Sequence, residues 1–178
     1  MKKIKTNFRD LFLIKGVTHY DVRGYFRELI RQKLIPKNLI FTVVSKSKKN
    51  ILRGLHFQKK KPQGKLVVVL KGEIVDVALD LRKKSKTYLK AFKSVLSEKN
   101  NTSIYIPPGF AHGFYTRGKE NIILYACTNY RHKKSEDGLL WNDKDLNIKW
   151  PCKNPILSKK DKENQSLKDF LKLKNGRS

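Results

Sequence analysis

Apolar residues recur through the middle of the chain in short runs with a period of two, separated by polar and glycine-bearing stretches. Residues 39–45 (LIFTVVS) are β-branched and apolar, and 65–70 (KLVVVL) form a second such run. Lys71-Gly72-Glu73 then reads as a tight turn. Residues 74–82 (IVDVALDLR) alternate, with Val75, Val77, Leu79 and Leu81 on one face and Ile74, Asp76, Ala78 and Asp80 on the other. The runs on either side of the turn are expected to pair as a hairpin. One strand is expected through 53-RGLHFQ-58, and others at 88–96, 102–107, 112–117 and 121–130. Helical spacing is confined to a turn near 28–34 and a C-terminal segment, 166–173, with Leu167, Phe170 and Leu171 in phase. Short strands at roughly 8–12-residue intervals predict an all-β chain, a sandwich or a barrel.

The 178 residues suit one domain with a real core. No run of about 18 apolar residues occurs, so no membrane span is expected. The N-terminal MKKIKTNFRDLFLIKG is basic, without a continuous apolar run and a small-residue cleavage site, so no signal peptide is expected. Cys127 and Cys152 lack metal-ligand spacing. One disulfide could join them, but two free thiols in a reducing cytoplasm are the simpler expectation.

The formal net charge is +26, which raises nucleic-acid binding. The distribution argues against it. Lysines are scattered in loops (Lys59 to Lys61, Lys83-Lys84, Lys133-Lys134, Lys159-Lys160), no nucleic-acid-binding motif accompanies them, and arginine is the minority cation. A lysine-rich solvated surface that attracts anionic substrates such as nucleotides accounts for the charge.

A small barrel with a few inward polar groups makes a pocket. Five ionisable residues lie within or beside the strands: His56, Lys65, Asp76, His112 and Tyr125. Each alone has a structural reading, such as a satisfied core histidine or a lysine guarding a strand edge. Together they mark a site, because several buried titratable groups are costly unless used. Metal binding fits poorly. RGLHFQ and PPGFAHGF resemble the two motif positions of a cupin barrel, but Gln58 stands where a second histidine is usual. His56 and His112 are two ligands, short of three or four. A barrel with no metal and no cofactor is expected.

RGLHFQ, QGKLV, GEIVDVALDLR, S-x-T-Y, IPPGFAHGF, LLWNDKDLNIKWP and PILSKKD occur in order and together resemble the dTDP-4-dehydrorhamnose 3,5-epimerase family from about Asp21 to about Asp161. The resemblance implies a cupin-type jelly-roll β-barrel over the core, a helical tail at about 162–178, and a homodimer in which N-terminal strands reach across the interface. It implies a nucleotide-linked 4-keto-6-deoxyhexose as substrate, on the way to L-rhamnose or a related surface sugar. Epimerisation α to a ketone needs a base on one face, an acid on the other and a donor at the enolate oxygen. By resemblance His56 is the base, Asp161 its orienting carboxylate, Tyr125 the opposing acid and Lys65 the group beside the keto oxygen. His112, Glu136 and Lys160 match substrate contacts, Arg53 a diphosphate contact, and Arg23, Phe26 and Glu28 the nucleotide end.

Two features depart from expectation. Phe41 and Val43 stand where the family usually carries Gln-x-Asn, so two hydrogen-bonding side chains have become apolar, which can shift specificity. Strict alternation would also put Arg53 and His56 on opposite faces, unless Gly54 hosts a bulge. A mono-epimerase or ketoisomerase on another nucleotide-linked keto sugar is the alternative within the fold. A non-catalytic sugar-nucleotide or nucleic-acid binder is the alternative outside it.

Overall fold

The structure, a computed structural model, describes residues 1–175. Two antiparallel sheets dominate it. The six-stranded sheet runs β1 (Lys2–Lys5), β2 (Phe12–Lys15), β10 (Thr102–Ile106), β7 (Lys65–Lys71), β12 (Glu120–Cys127) and β5 (Phe41–Lys48). The five-stranded sheet runs β13 (Glu136–Gly138), β6 (Leu52–Gln58), β11 (Phe110–Thr116), β8 (Glu73–Asp80) and β9 (Ala91–Ser97). β3 (Thr18–Asp21) and β4 (Gly24–Arg27) form a separate hairpin. This is the all-β, jelly-roll-like architecture expected, with two sheets that face each other without closing into one hydrogen-bonded cylinder.

The central strands are covered on both faces, which is why apolar runs such as β7 are nearly continuous. Val67 and Val69 of β7 pack between the sheets with Ile74, Ala78, Ile104, Phe114 and Ile123. Leu66 and Val68 point the other way, under Ile35 and the flanking Leu29, Leu34 and Leu39. On the outer face of the five-stranded sheet, Leu55, Val77 and Leu79 are sealed by Leu139, Leu146, Leu167 and Phe170. The last two come from α2 (Leu167–Asn175), the expected C-terminal helix, while residues 176–178 lie outside the described residues. The turn expected near 28–34 is a single 3-10 turn, Gln32–Leu34.

The expected hairpin across Gly72 does not form. β7 is flanked by β10 and β12, and β8 by β11 and β9. Each strand's two edges are therefore taken by other partners, three of them distant in sequence and one the next strand, β9, and Gly72 is a corner where the chain passes from one sheet to the other. Glycine suits that corner: φ is +84°, and a Cβ would lie 2.3 Å from the Glu120 carbonyl oxygen.

Where β8 ends, the S-x-T-Y motif has a structural use. The Asp80 side chain is fully buried and accepts from Arg82 Nε and Nη2, both at 2.8 Å, from Ser85 Oγ at 2.6 Å and from Thr87 Oγ1 at 2.7 Å. Burial works against its charge, but these donors hold its pKa down at about 2, below the ordinary 3.8. Removing one partner of a buried pair costs roughly 3–5 kcal/mol, so Asp80→Ala should lower the thermal midpoint by several degrees in a calorimetric scan. A carboxylate with a depressed folded pKa stabilises fully above its unfolded value. Asp80's contribution should therefore be lost as pH falls from about 4 to about 2, and the wild-type and Asp80→Ala midpoints should converge there.

Candidate active site

A cavity of about 640 Å³ opens between the sheets. Alternation on β5 turns Phe41, Val43 and Ser45 into it, beside Tyr125 and Cys127 of β12 and Lys65 at the start of β7 on the same sheet face. Arg53 and His56 of β6 and His112 of β11 line it from the other sheet. The C-terminal crossing adds Ser158, Lys160 and Asp161, and the segment before β13 adds Arg131, with Glu136 at the first residue of that strand.

Arg53 and His56 reach the same cavity through a bulge in β6. His112 sits opposite His56, and Phe114 opposite Arg53, so three steps on β6 match two on β11. Gly54, at φ +122° and preceding a cis peptide bond, fills the extra place. A Cβ there would come within 2.5 Å of Gly113 Cα.

His56 Nε2 is bonded to Asp161 Oδ1. Asp161 lies in α1 (Lys159–Lys162), a short helix capped by Ser158. The Asp161 N–H donates to Ser158 Oγ at 3.1 Å, and that hydroxyl donates to Asp161 Oδ2 at 2.8 Å. Burial pushes the Asp161 carboxyl up, but bonds from His56, Ser158 and the Gly54 N–H outweigh it and hold the pKa below the ordinary value. Asp161 is thus an ionised group that fixes the imidazole, with Nδ1 left as its second ring nitrogen.

A second, deeper dyad lies beside the first: His112 Nε2 is 2.7 Å from Asp76 Oδ2, and both residues are buried. His112 is therefore held by the protein and presents a ring face, 6.3 Å from the Tyr125 ring centre. Tyr125 Oη is 3.0 Å from Ser45 Oγ. Burial raises the Tyr125 pKa strongly, so the phenol keeps its proton at neutral pH. Lys65 has no carboxylate within ion-pair distance among the described residues. Burial pushes its ammonium pKa down, so it gives up a proton more readily than a solvated lysine does.

The three N-terminal candidates are not in this cavity. Arg23 is highly exposed and paired with Asp21 at 2.6 Å, Phe26 is 75% exposed on β4, and Glu28 is paired with Arg31. The sequence reading also missed Ser45, Ser158 and Arg131. The first two carried a legible signal: Ser45 is in phase with Phe41 and Val43, and Ser158 stands three residues before Asp161 as a helix cap would. Arg131 lies in a loop, where no periodicity marks it. Among the described residues, no three His, Cys, Asp or Glu side chains converge as metal ligands would.

The chain resembles known proteins along nearly its whole length. The dTDP-4-dehydrorhamnose 3,5-epimerase family profile matches residues 5–169. The chain is 40% identical to dTDP-4-dehydrorhamnose 3,5-epimerase of Methanothermobacter thermautotrophicus, over 93% of this chain and 94% of that one. It is 41% identical to the Shigella flexneri enzyme of that name, over 95% and 97%. A Bacillus anthracis dTDP-4-dehydrorhamnose 3,5-epimerase structure with TDP and PPi bound superposes with a TM-score of 0.89 at 40% identity, covering 93% of this chain and 99% of that one. With the match running nearly end to end, the protein that builds this histidine–carboxylate and tyrosine pocket belongs to the dTDP-4-dehydrorhamnose 3,5-epimerase family.

Proposed function

We propose that the protein inverts C3 and C5 of a dTDP-linked 4-keto-6-deoxyhexose. One observation carries this reading: a carboxylate-held imidazole, a neutral buried phenol and a lysine with no carboxylate partner among the described residues line a single cavity. A C–H bond α to a ketone is acidic because its electrons delocalise onto the oxygen. His56 takes the proton, and Asp161 stabilises the imidazolium that results. The electron pair moves to the keto oxygen, where the Lys65 ammonium meets the developing charge. Tyr125 then delivers its proton to the opposite face of the carbon. Carbon acidity supplies the reactivity, so the scheme calls for no metal or redox cofactor.

The Legionella pneumophila relative solved with dTDP-4-keto-L-rhamnose, 37% identical with a TM-score of 0.89, supports this substrate class. A cytoplasmic homodimer completes the proposal. Two free thiols, and the lack of a helix among the described residues long and apolar enough to cross a membrane, are compatible with it. The exposed β3–β4 hairpin, with Tyr20, Val22 and Phe26 bare, is the segment that would carry Arg23, Phe26 and Glu28 to a partner's cavity. The test is incubation with dTDP-4-keto-6-deoxyglucose in deuterated water, followed by NMR. Deuterium at C3 and C5 with both centres inverted is expected. Label at one carbon identifies a mono-epimerase instead, and no label with intact substrate refutes the epimerase reading.

A further inference from the structure

We propose that Arg131 is an additional phosphate-binding residue of this cavity and that Glu136 is its positioning carboxylate. The inference rests on the nucleotide-sugar reading above and deepens it.

The loop that carries Arg131 is pinned to the 58–64 segment. Thr128 N–H donates to the Gly64 carbonyl at 3.0 Å, and Gly64 N–H donates to Thr128 Oγ1 at 2.8 Å. Gln63 Nε2 donates to the Asn129 carbonyl at 2.8 Å, and the His132 N–H donates to Gln58 Oε1 at 2.9 Å. Arg131 therefore leaves a fixed backbone, on a loop whose neighbours Gln63 and Lys65 line the same cavity.

Its guanidinium is also fixed. Nε donates to Glu136 Oε1 at 2.5 Å and Nη2 to Glu136 Oε2 at 2.9 Å. A guanidinium has five N–H donors. The fork to Glu136 takes two and leaves three on the other edge. Glu136 is the less exposed member, with its side chain 19% exposed against 61% for Arg131. It also accepts from Lys160 Nζ at 3.3 Å. Its pKa is held down at about 2, first by the Arg131 bonds and against the cost of burial. A carboxylate so thoroughly engaged by cations has little capacity left for a substrate hydroxyl, but it is well placed to hold an arginine.

Arg53 has the same construction. Nε donates to Ser47 Oγ at 3.1 Å and Nη2 to the Lys46 carbonyl at 3.4 Å, which leaves Nη1 uncommitted. The cavity thus carries two arginines, each braced along one edge, with Lys65 and Lys160, against the Glu136 and Asp161 carboxylates. Two positive charges remain, and the diphosphate of a nucleotide sugar carries two negative ones. Braced forks with spare donors suit phosphate oxygens better than mobile lysines do. An isolated surface ion pair would need neither the pinned loop nor the half-buried carboxylate.

The test is titration calorimetry with dTDP on wild type, Arg131→Ala, Arg131→Lys, Glu136→Gln and the Arg131→Ala/Glu136→Gln double variant, with the fold of each checked by its thermal midpoint. Arg131→Ala should weaken dTDP roughly tenfold or more. Arg131→Lys, which keeps charge but not the fork, should fall between it and wild type. Glu136→Gln should weaken dTDP alone but add nothing in the Arg131→Ala background, as expected of a residue acting through another. Arg131→Ala and Arg131→Lys both within twofold of wild type would overturn the phosphate role. An equal Glu136→Gln loss in both backgrounds would overturn the positioning role. Wild-type protein that fails to bind dTDP would instead overturn the nucleotide-sugar reading itself.

Discussion

His56→Ala should slow solvent deuterium exchange into the keto sugar by roughly 100- to 10,000-fold, the usual range for losing a positioned general base. The geometry makes this the largest single loss. His56 is the more accessible of the two cavity imidazoles, its side chain 38% exposed, whereas His112 is buried and tied to Asp76. Asp161 cannot substitute, because its carboxylate is buried and occupied by Ser158 and the Gly54 N–H. Alanine would leave that carboxylate without its imidazole partner, so a stability loss is also expected. His56→Asn, which can still hydrogen-bond to Asp161, should show the same kinetic loss with less unfolding. Exchange as fast as wild type in a folded His56→Asn protein would remove His56 from the role of base.

Tyr125→Phe should separate two events that His56→Ala removes together. The phenol is the proton source on the opposite face, so its loss should cut formation of the inverted sugar by roughly 100-fold or more. Proton removal by His56 remains, and the same imidazole can return a solvent-derived deuteron to the face it left. Deuterium should therefore enter the substrate without inversion, at a rate reduced far less than turnover. NMR of recovered substrate and product measures both rates in one sample. Inversion at the wild-type rate would assign the acid to another group. The isosteric change leaves the ring packed against His112 and Phe114 at 6.3 and 6.4 Å, so the fold should survive.

What the chain disclosed in advance follows physical lines. β7, β8 and β12 were legible because their alternation is buried on both faces, and α2 because Leu167 and Phe170 recur at helical spacing over an apolar sheet. β1 was not legible: all four of its residues are exposed, three are lysines, and only its pairing with β2 makes it a strand. β13 is three residues long and owes its place to β6. The hairpin at Gly72 failed for a related reason. Adjacency shows that two strands are joined by a turn, but which edges are already occupied depends on β9 to β12, far along the chain. In the site, residues on strands could be read from phase and motif. Arg131 could not, because loop backbone has no period and its loop is placed by Gln58 and Gln63, far back along the chain. Arg23, Phe26 and Glu28 carry motif signal without cavity contact in the single chain.

The bulge in β6 has a meaning beyond pointing two side chains the same way. Arg53 and His56 face opposite two positions of β11, so a strand one residue shorter, with no residue 54, would present both to the same side by ordinary alternation. The extra residue is therefore neutral in parity. What it adds is a main-chain donor: the Gly54 N–H, released from the ladder, is spent on Asp161. Part of the dyad's electrostatics is thus written in the backbone, at a position where a Cβ would lie within 2.5 Å of Gly113 Cα and only glycine fits.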